Sequence, residues 1–254
     1  LRLSSLIGLL IFWLYNQRSL LNKRITMRKI AFTLLAAVMP LFSGFFPSTV
    51  HTTVSAVQGE GIILSRPFPA NGMSGVVIHN FANKLEAITG YIAQVSSDGK
   101  SRLIAKEIIH HDELPTIKTP LRKGDKVIGG YLYDNVLLLA PDADTYAKIT
   151  KSVHKKWFHP DLLASFLSKI GETYPTKDNL ARFAKQYQVG LVYIIKRDSA
   201  VLLDPISGQI VGKRAFSGAP QKAESPFFMR LKKIDGGWFS DSAPGDYYRI
   251  MEQF

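Results

Sequence analysis

The chain has no cysteine, so disulfides, thiolate nucleophiles, cysteine zinc sites and a lipoprotein acceptor thiol are all excluded. It is also poor in acid, with 20 Asp and Glu against 32 Lys and Arg, and none of the acids precedes residue 57. Arg2, Arg18, Lys23, Arg24, Arg28 and Lys29 supply six of the twelve net positive charges. What remains is modest and scattered, whereas a nucleic-acid footprint gathers its cations on one element, so no nucleic-acid partner is read. There is no G-x-x-x-x-G-K-[ST] loop to cradle phosphates, no G-x-S-x-G elbow to raise a nucleophile, and no repeat or low-complexity tract. No cofactor is implied.

What is present is apolar enough to fold, with 46% hydrophobic residues in a chain of 254. Residues 1–56 have the composition of a leader. Met27-Arg28-Lys29 is a short positive segment before an apolar run at 30–46, with cleavage expected after Ala56. An uncleaved membrane anchor is the rival reading and would be the chain's one membrane contact. The start is read at Met27, which makes 1–26 an over-extended translation. A two-helix membrane hairpin is the alternative, for which the apolar stretch 6–15 is short. Either way the protein is expected to be exported, to the cell surface or the periplasm.

From residue 57 the pattern turns to period two. Strands are expected at 61–65, 75–80, 87–95 and 101–109, with Lys123-Gly124-Asp125 as a turn. Residues 126–133 then form a hairpin with 136–140 through Asp134-Asn135. Because Val136, Leu137, Leu138 and Leu139 are apolar in succession, that second arm should be covered on both faces. A small antiparallel barrel-like sheet closes these strands with few free edges.

Beyond Pro141 the period becomes helical. Asp142 or Asp144 caps a first helix, Pro160 opens a second that stops at Gly171, and Thr176 opens a third. Strands return at 191–195, 201–203 and 209–211, with the helices expected on one side of the sheet. The tail should pair a strand at 227–234 with one at 247–251. The fold class is thus α+β, with a leader at 1–56, a β-rich domain at 57–140, an α+β domain at 141–214, and a linker with terminal strands at 215–254.

Constellations with chemical potential have plainer explanations. His110-His111-Asp112-Glu113 alternates across a strand and has no third ligand at a fixed spacing. His154, His159, Asp161 and Ser165 read as helix capping rather than a triad. Phe254 invites comparison with the aromatic end of outer-membrane barrels, but the strands are few and polar for one. No catalytic site and no metal site is assigned, and the chain is not read as an enzyme.

Several segments, taken in order, carry a resemblance: Gly75-Val76-Val77-Ile78-His79, Lys123-Gly124-Asp125-Lys126-Val127, Leu138-Leu139-Ala140-Pro141, Trp157-Phe158-His159-Pro160-Asp161-Leu162 and Gly190-Leu191-Val192-Tyr193. Over about 61–213 the chain resembles the N-terminal domain of the plasminogen-binding surface protein family of Gram-negative bacteria. The resemblance implies an exported, non-catalytic surface protein that captures host plasminogen. Kringle modules of plasminogen take a cation beside an anion, best supplied by a C-terminal lysine. This chain ends Met251-Glu252-Gln253-Phe254, and the internal sets Lys232 and Lys233 with Asp235, or Lys123 and Lys126 with Asp125, read either as ordinary surface charge or as substitutes for that lysine. The alternative is a periplasmic scaffolding module that does not bind plasminogen.

Overall fold

The computed structural model describes residues 44–59, 61–81, 85–105, 119–231 and 246–254. Two sheets organise it, and both belong to one compact unit, Phe45–Phe254. The first is a closed antiparallel barrel of β1 (Val50–Gln58), β2 (Gly61–Leu64), β3 (Ser74–Phe81), β4 (Leu85–Gln94), β5 (Lys100–Ala105) and β6 (Lys126–Gly129), in the order β1-β2-β5-β4-β3-β6. Register shifts between Val54 and Ala56, Val77 and Ile78, and Tyr91 and Ile92 supply the local bends that closure needs.

The barrel interior is filled by Val54, Ile62, Leu64, Met73, Val77, Ile92 and Val127. Phe68 joins them through a slot cut by two facing glycines. Gly75 and Gly129 are direct cross-strand partners, and a Cβ on Gly129 would stand 2.4 Å from the Phe68 ring. The buried amide of Gln94 holds the loop in place, accepting from Phe68 N at 2.6 Å and donating to Phe68 O at 3.1 Å.

The second sheet is mixed, in the order β11-β10-β9-β7-β8. Its interior strand β7 (Asn135–Leu139) is parallel to both β8 (Lys156–Phe158), at the edge, and β9 (Leu191–Ile195), at the centre; β10 (Ser199–Asp204) pairs antiparallel with β9, and β11 (Gln209–Ala215) antiparallel with β10. Val136 and Leu138 face the barrel-side core, Leu137 and Leu139 face the helices, and all four are fully buried. The apolar succession in β7 has this cause: an interior strand with both faces covered.

Helix α1 (Ala143–Ser152) starts at Asp142, which accepts from Thr145 N at 2.7 Å. Helix α2 (Pro160–Ile170) ends at Gly171, and α3 (Lys177–Tyr187) is capped by Thr176, which accepts from Asn179 N at 3.1 Å. Such caps are worth about 1 kcal/mol each.

Three expectations are corrected. The 126–140 segment is not a hairpin: β6 closes the barrel, β7 lies between β9 and β8 in the other sheet, and the turn at Gly130 (φ +66°) separates them. The helices lie on both faces, because Ile149 of α1 packs into the barrel-side core while α2 and α3 cover the opposite face. Among the described residues the tail pairs no strands. Residues 226–231 run without regular structure, and Tyr247–Met251 is a short helix, α4, whose apolar residues seal the helix-side core. Val50–Gln58 form β1 between β2 and β6, and the first strand of the second sheet begins at Asn135.

Asp204 joins the two sheets. Its carboxylate is wholly buried and accepts from Ser74 N (2.8 Å) and Tyr133 Oη (2.8 Å) on the barrel side, and from Ile206 N (2.9 Å) and Ser207 N (3.0 Å) in the β10–β11 turn. Burial pushes its pKa up against the pull of these donors. Burial and the adjacent carboxylate also hold the Tyr133 hydroxyl protonated, hence a donor.

Two predictions follow from this packing. Gly129→Ala should cost about 1–3 kcal/mol in urea unfolding, and less in a Phe68→Leu background, where the ring is gone. Asp204→Ala, which strands four donors, should cost about 3 kcal/mol or more. The pH dependence has a definite sign. A carboxyl whose folded pKa is raised favours folding below its unfolded value, about 3.9, and loses that contribution as pH rises through the folded value. The stability of the wild type minus that of Asp204→Asn should therefore shrink between pH 4 and pH 7; a difference that grew would contradict the buried-acid account.

Candidate functional site

The turn entering β6 is built on Arg122-Lys123-Gly124-Asp125. Asp125 N donates to Arg122 O at 3.1 Å, and Gly124 sits at φ +93°, a conformation that demands glycine. Gly124 N donates to Val54 O and Val54 N to Asp125 O, so the turn is fixed to β1. Asp125 does not face solvent. It is 6% exposed, its Oδ2 accepts from Arg122 N at 2.7 Å, and its Oδ1 lies 2.7 Å from His79 Nδ1.

The structure thus places Lys123 and Lys126 on the surface beside a buried Asp125. Asp125 is consumed in closing the turn, because a short acid three residues after a free backbone N–H reaches back to it more readily than it reaches solvent. Lys123 is exposed at the turn and has no partner among the described residues. Lys126 finds its carboxylate elsewhere, on Glu86, with side chains 58% and 40% exposed. The register explains this pair. Lys126 and Ile88 both stand opposite Ile78 of β3, on either side of it, and Glu86 lies two residues along β4 from Ile88, hence on the same outer face.

A second exposed pair sits in the β4–β5 turn. Lys100 Nζ lies 3.1 Å from Asp98 Oδ2, both more than half exposed. Hydrogen bonds from Ser96, then from Lys100, lower the Asp98 pKa to about 2, so this anion persists at any physiological pH. In the sequence, Asp98 and Lys100 fall in the short connection between the strands expected at 87–95 and 101–109, with nothing local to mark them as a pair. Glu86, forty positions from Lys126, left no local signal.

Lys232, Lys233 and Asp235 lie outside the described residues, as do His110, His111, Asp112 and Glu113. His159 caps α2, its Nδ1 accepting from Asp161 N at 3.2 Å, and burial lowers its pKa toward the neutral form that this bond needs. Asp161 is held by Arg230, through the backbone N at 2.7 Å and Nε at 3.0 Å, which ties residue 230 to the helix start. Ser165 is exposed on α2 and makes no hydrogen bond to His159. A cavity at the seam of the two sheets, lined by Ser74, Tyr91, Tyr131, Tyr133 and Gly190, holds about 20 Å³, the space of a single water. Among the described residues, no helix is long and apolar enough to cross a membrane.

The chemistry on view is therefore that of a surface carrying lysine–carboxylate pairs on a rigid barrel. Comparison with known proteins gives this surface a context. Two proteins named plasminogen-binding protein PgbA, from Helicobacter pylori strains ATCC 700392 / 26695 and J99 / ATCC 700824, are 29% and 28% identical to the chain over 167 residues. The matched stretch is 63% of this chain and 36% of each relative, so the chain spans about a third of the length of these relatives. No solved structure matches. The family model described as "Plasminogen-binding protein pgbA N-terminal" matches residues 49–253, from the approach to β1 to the last turn of the tail, and the chain belongs to that family.

Proposed function

We propose that this protein is an exported, non-catalytic domain at the cell surface that binds host plasminogen. The observation that carries this reading is the family match over 49–253, with relatives named for plasminogen binding. A physical feature supports it. A kringle lysine site takes a cation beside an anion, and the outer barrel surface presents Lys126 with Glu86 and Lys100 with Asp98, each on backbone held by sheet pairing or a closed turn. A preorganised pair loses little entropy on capture, although each cation must exchange its own carboxylate for the kringle's.

A second reading, a periplasmic scaffolding module without plasminogen affinity, is favoured by the burial of Asp125, which leaves the β6 turn with cations and no surface anion of its own.

The test is equilibrium binding of plasminogen to the full chain, with and without a saturating lysine analogue. The surface reading expects saturable binding that the analogue abolishes, weakened about tenfold by Glu86→Gln with Lys126→Gln, or by Asp98→Asn with Lys100→Gln. Asp125→Asn should lower the melting temperature and leave affinity unchanged. Binding lost only in Lys232→Ala with Lys233→Ala would move the site to the tail. Binding that survives the analogue would exclude a kringle lysine site, and no binding at all would favour the scaffold. Protease treatment of intact cells checks the location: surface exposure predicts cleavage, and protection would favour the periplasm.

A further inference from the structure

The barrel is closed and offers no strand edge, whereas the five-stranded sheet ends on β8, three residues long, and on β11, seven residues long. The outer side of β11 can be read from its register. Ala215 stands opposite Ser199, Arg214 opposite Ala200 and Lys213 opposite Val201, and Phe216 N donates to Asp198 O at 3.1 Å. In an antiparallel ladder, pairs that exchange hydrogen bonds alternate with pairs whose N–H and C=O groups point away. The bond at Phe216 makes Arg214 the next inward-bonding residue. The N–H and C=O groups of Lys213 and Ala215 therefore point out of the edge, and they have no partner among the described residues. Residues 213, 214 and 215 are all exposed.

Free edges are normally shortened, covered, bent away or charged, and here only charge is present at the open end, in Lys213 and Arg214, which repels a basic strand but not an acidic one. The one irregularity in the β10–β11 pairing lies at the other end, between Leu202 and Leu203. Charge indicates what the open end would accept. No Asp or Glu lies between Asp204 and Glu224, while Lys213, Arg214 and Lys222 do. Lys213 opposes Val201, on the helix-covered face; Arg214 opposes Ala200, on the barrel-side face, where its guanidinium lies 4.5 Å from the Phe45 ring centroid and 5.5 Å from that of Tyr193. One edge thus carries a cation on each face beside four unused backbone groups. A second copy of β11 laid antiparallel would crowd four cations together. An extended segment bearing carboxylates would complete the backbone bonds and find opposite charge on both faces.

We propose that the outer edge of β11 receives an extended, acidic segment of another protein as an added strand, recognised through the backbone of Lys213 and Ala215 and the charges of Lys213 and Arg214. This surface is separate from the lysine–carboxylate pairs of the barrel and does not depend on plasminogen binding.

The test titrates the full chain with a labelled synthetic peptide of repeated Glu-Glu-Val-Val, which sets carboxylates on both faces of a strand, beside one of repeated Lys-Lys-Val-Val, and follows amide exchange at Lys213 and Ala215. The expected result is saturable binding of the acidic peptide alone, with both amides protected. Ala215→Pro, which removes an outward N–H and spares the bonds to β10, should weaken binding about tenfold, and Lys213→Glu should do so to a similar extent. If Ala215→Pro fails to fold, Lys213→Glu and the exchange measurement still decide. No binding of the acidic peptide, binding that leaves both amides unprotected, or a dimer in sedimentation that Lys213→Glu strengthens would each overturn the proposal, the last by making a second copy the occupant.

Discussion

A single buried carboxylate holds the barrel against the mixed sheet. Asp204 takes donors from the first residue of β3, from Tyr133 in the passage between the sheets, and from two backbone groups of its own turn. An acid out of water is tolerable only when its lone pairs are filled, and here each oxygen receives two donors. The arrangement also fixes geometry: Ser74, Tyr133 and the β10–β11 turn must all converge on one point. That convergence forces the chain to leave the barrel after Gly129 and to start a second sheet with β7, rather than folding back as a hairpin.

On the far side of the mixed sheet another hydroxyl serves a related purpose. Tyr247 Oη donates to the carbonyls of Leu139 and Ile195, at 2.8 and 2.7 Å, sharing one hydrogen between the ends of the two parallel strands β7 and β9. In open α/β sheets that end of the strands is the usual place for a ligand. Here it is closed by a buried tyrosine on α4, while Tyr248 packs edge to face beside it. Among the described residues, polar groups open to solvent include the lysine–carboxylate pairs of the barrel wall and the outward backbone groups of β11.

Some of the design was legible from residue order. The helix caps at Asp142 and Thr176, the proline opening α2 and the glycine ending it are decided by side chains within four residues of the groups they satisfy. The strands β2 to β6 of the barrel follow from short apolar runs between turn residues, whereas β1 lay largely in the stretch read as leader, and the double-sided burial of β7 follows from its four consecutive apolar residues. The site was less legible. Lys123, Asp125 and Lys126 are adjacent in sequence and look like one charged cluster, yet in the turn Asp125 points inward to Arg122 N and His79, while Lys126 on the outer wall meets Glu86. Proximity in sequence indicated the residues but not which charge would be neutralised by which.

The amino-acid sequence by itself determined the α+β class, the barrel-then-sheet order, the absence of thiol chemistry and the caps, because each rests on composition or on interactions spanning a few residues. Tertiary structure alone decided that β6 and β7 belong to different sheets, that helices cover both faces of the second sheet, that Tyr247–Met251 is a helix, and that Glu86 rather than Asp125 accompanies Lys126. The physical reason is common to all four. Each depends on partners tens of residues away, brought together by burying apolar faces and by filling the lone pairs of one internal carboxylate, and neither constraint leaves a periodic mark in the local sequence.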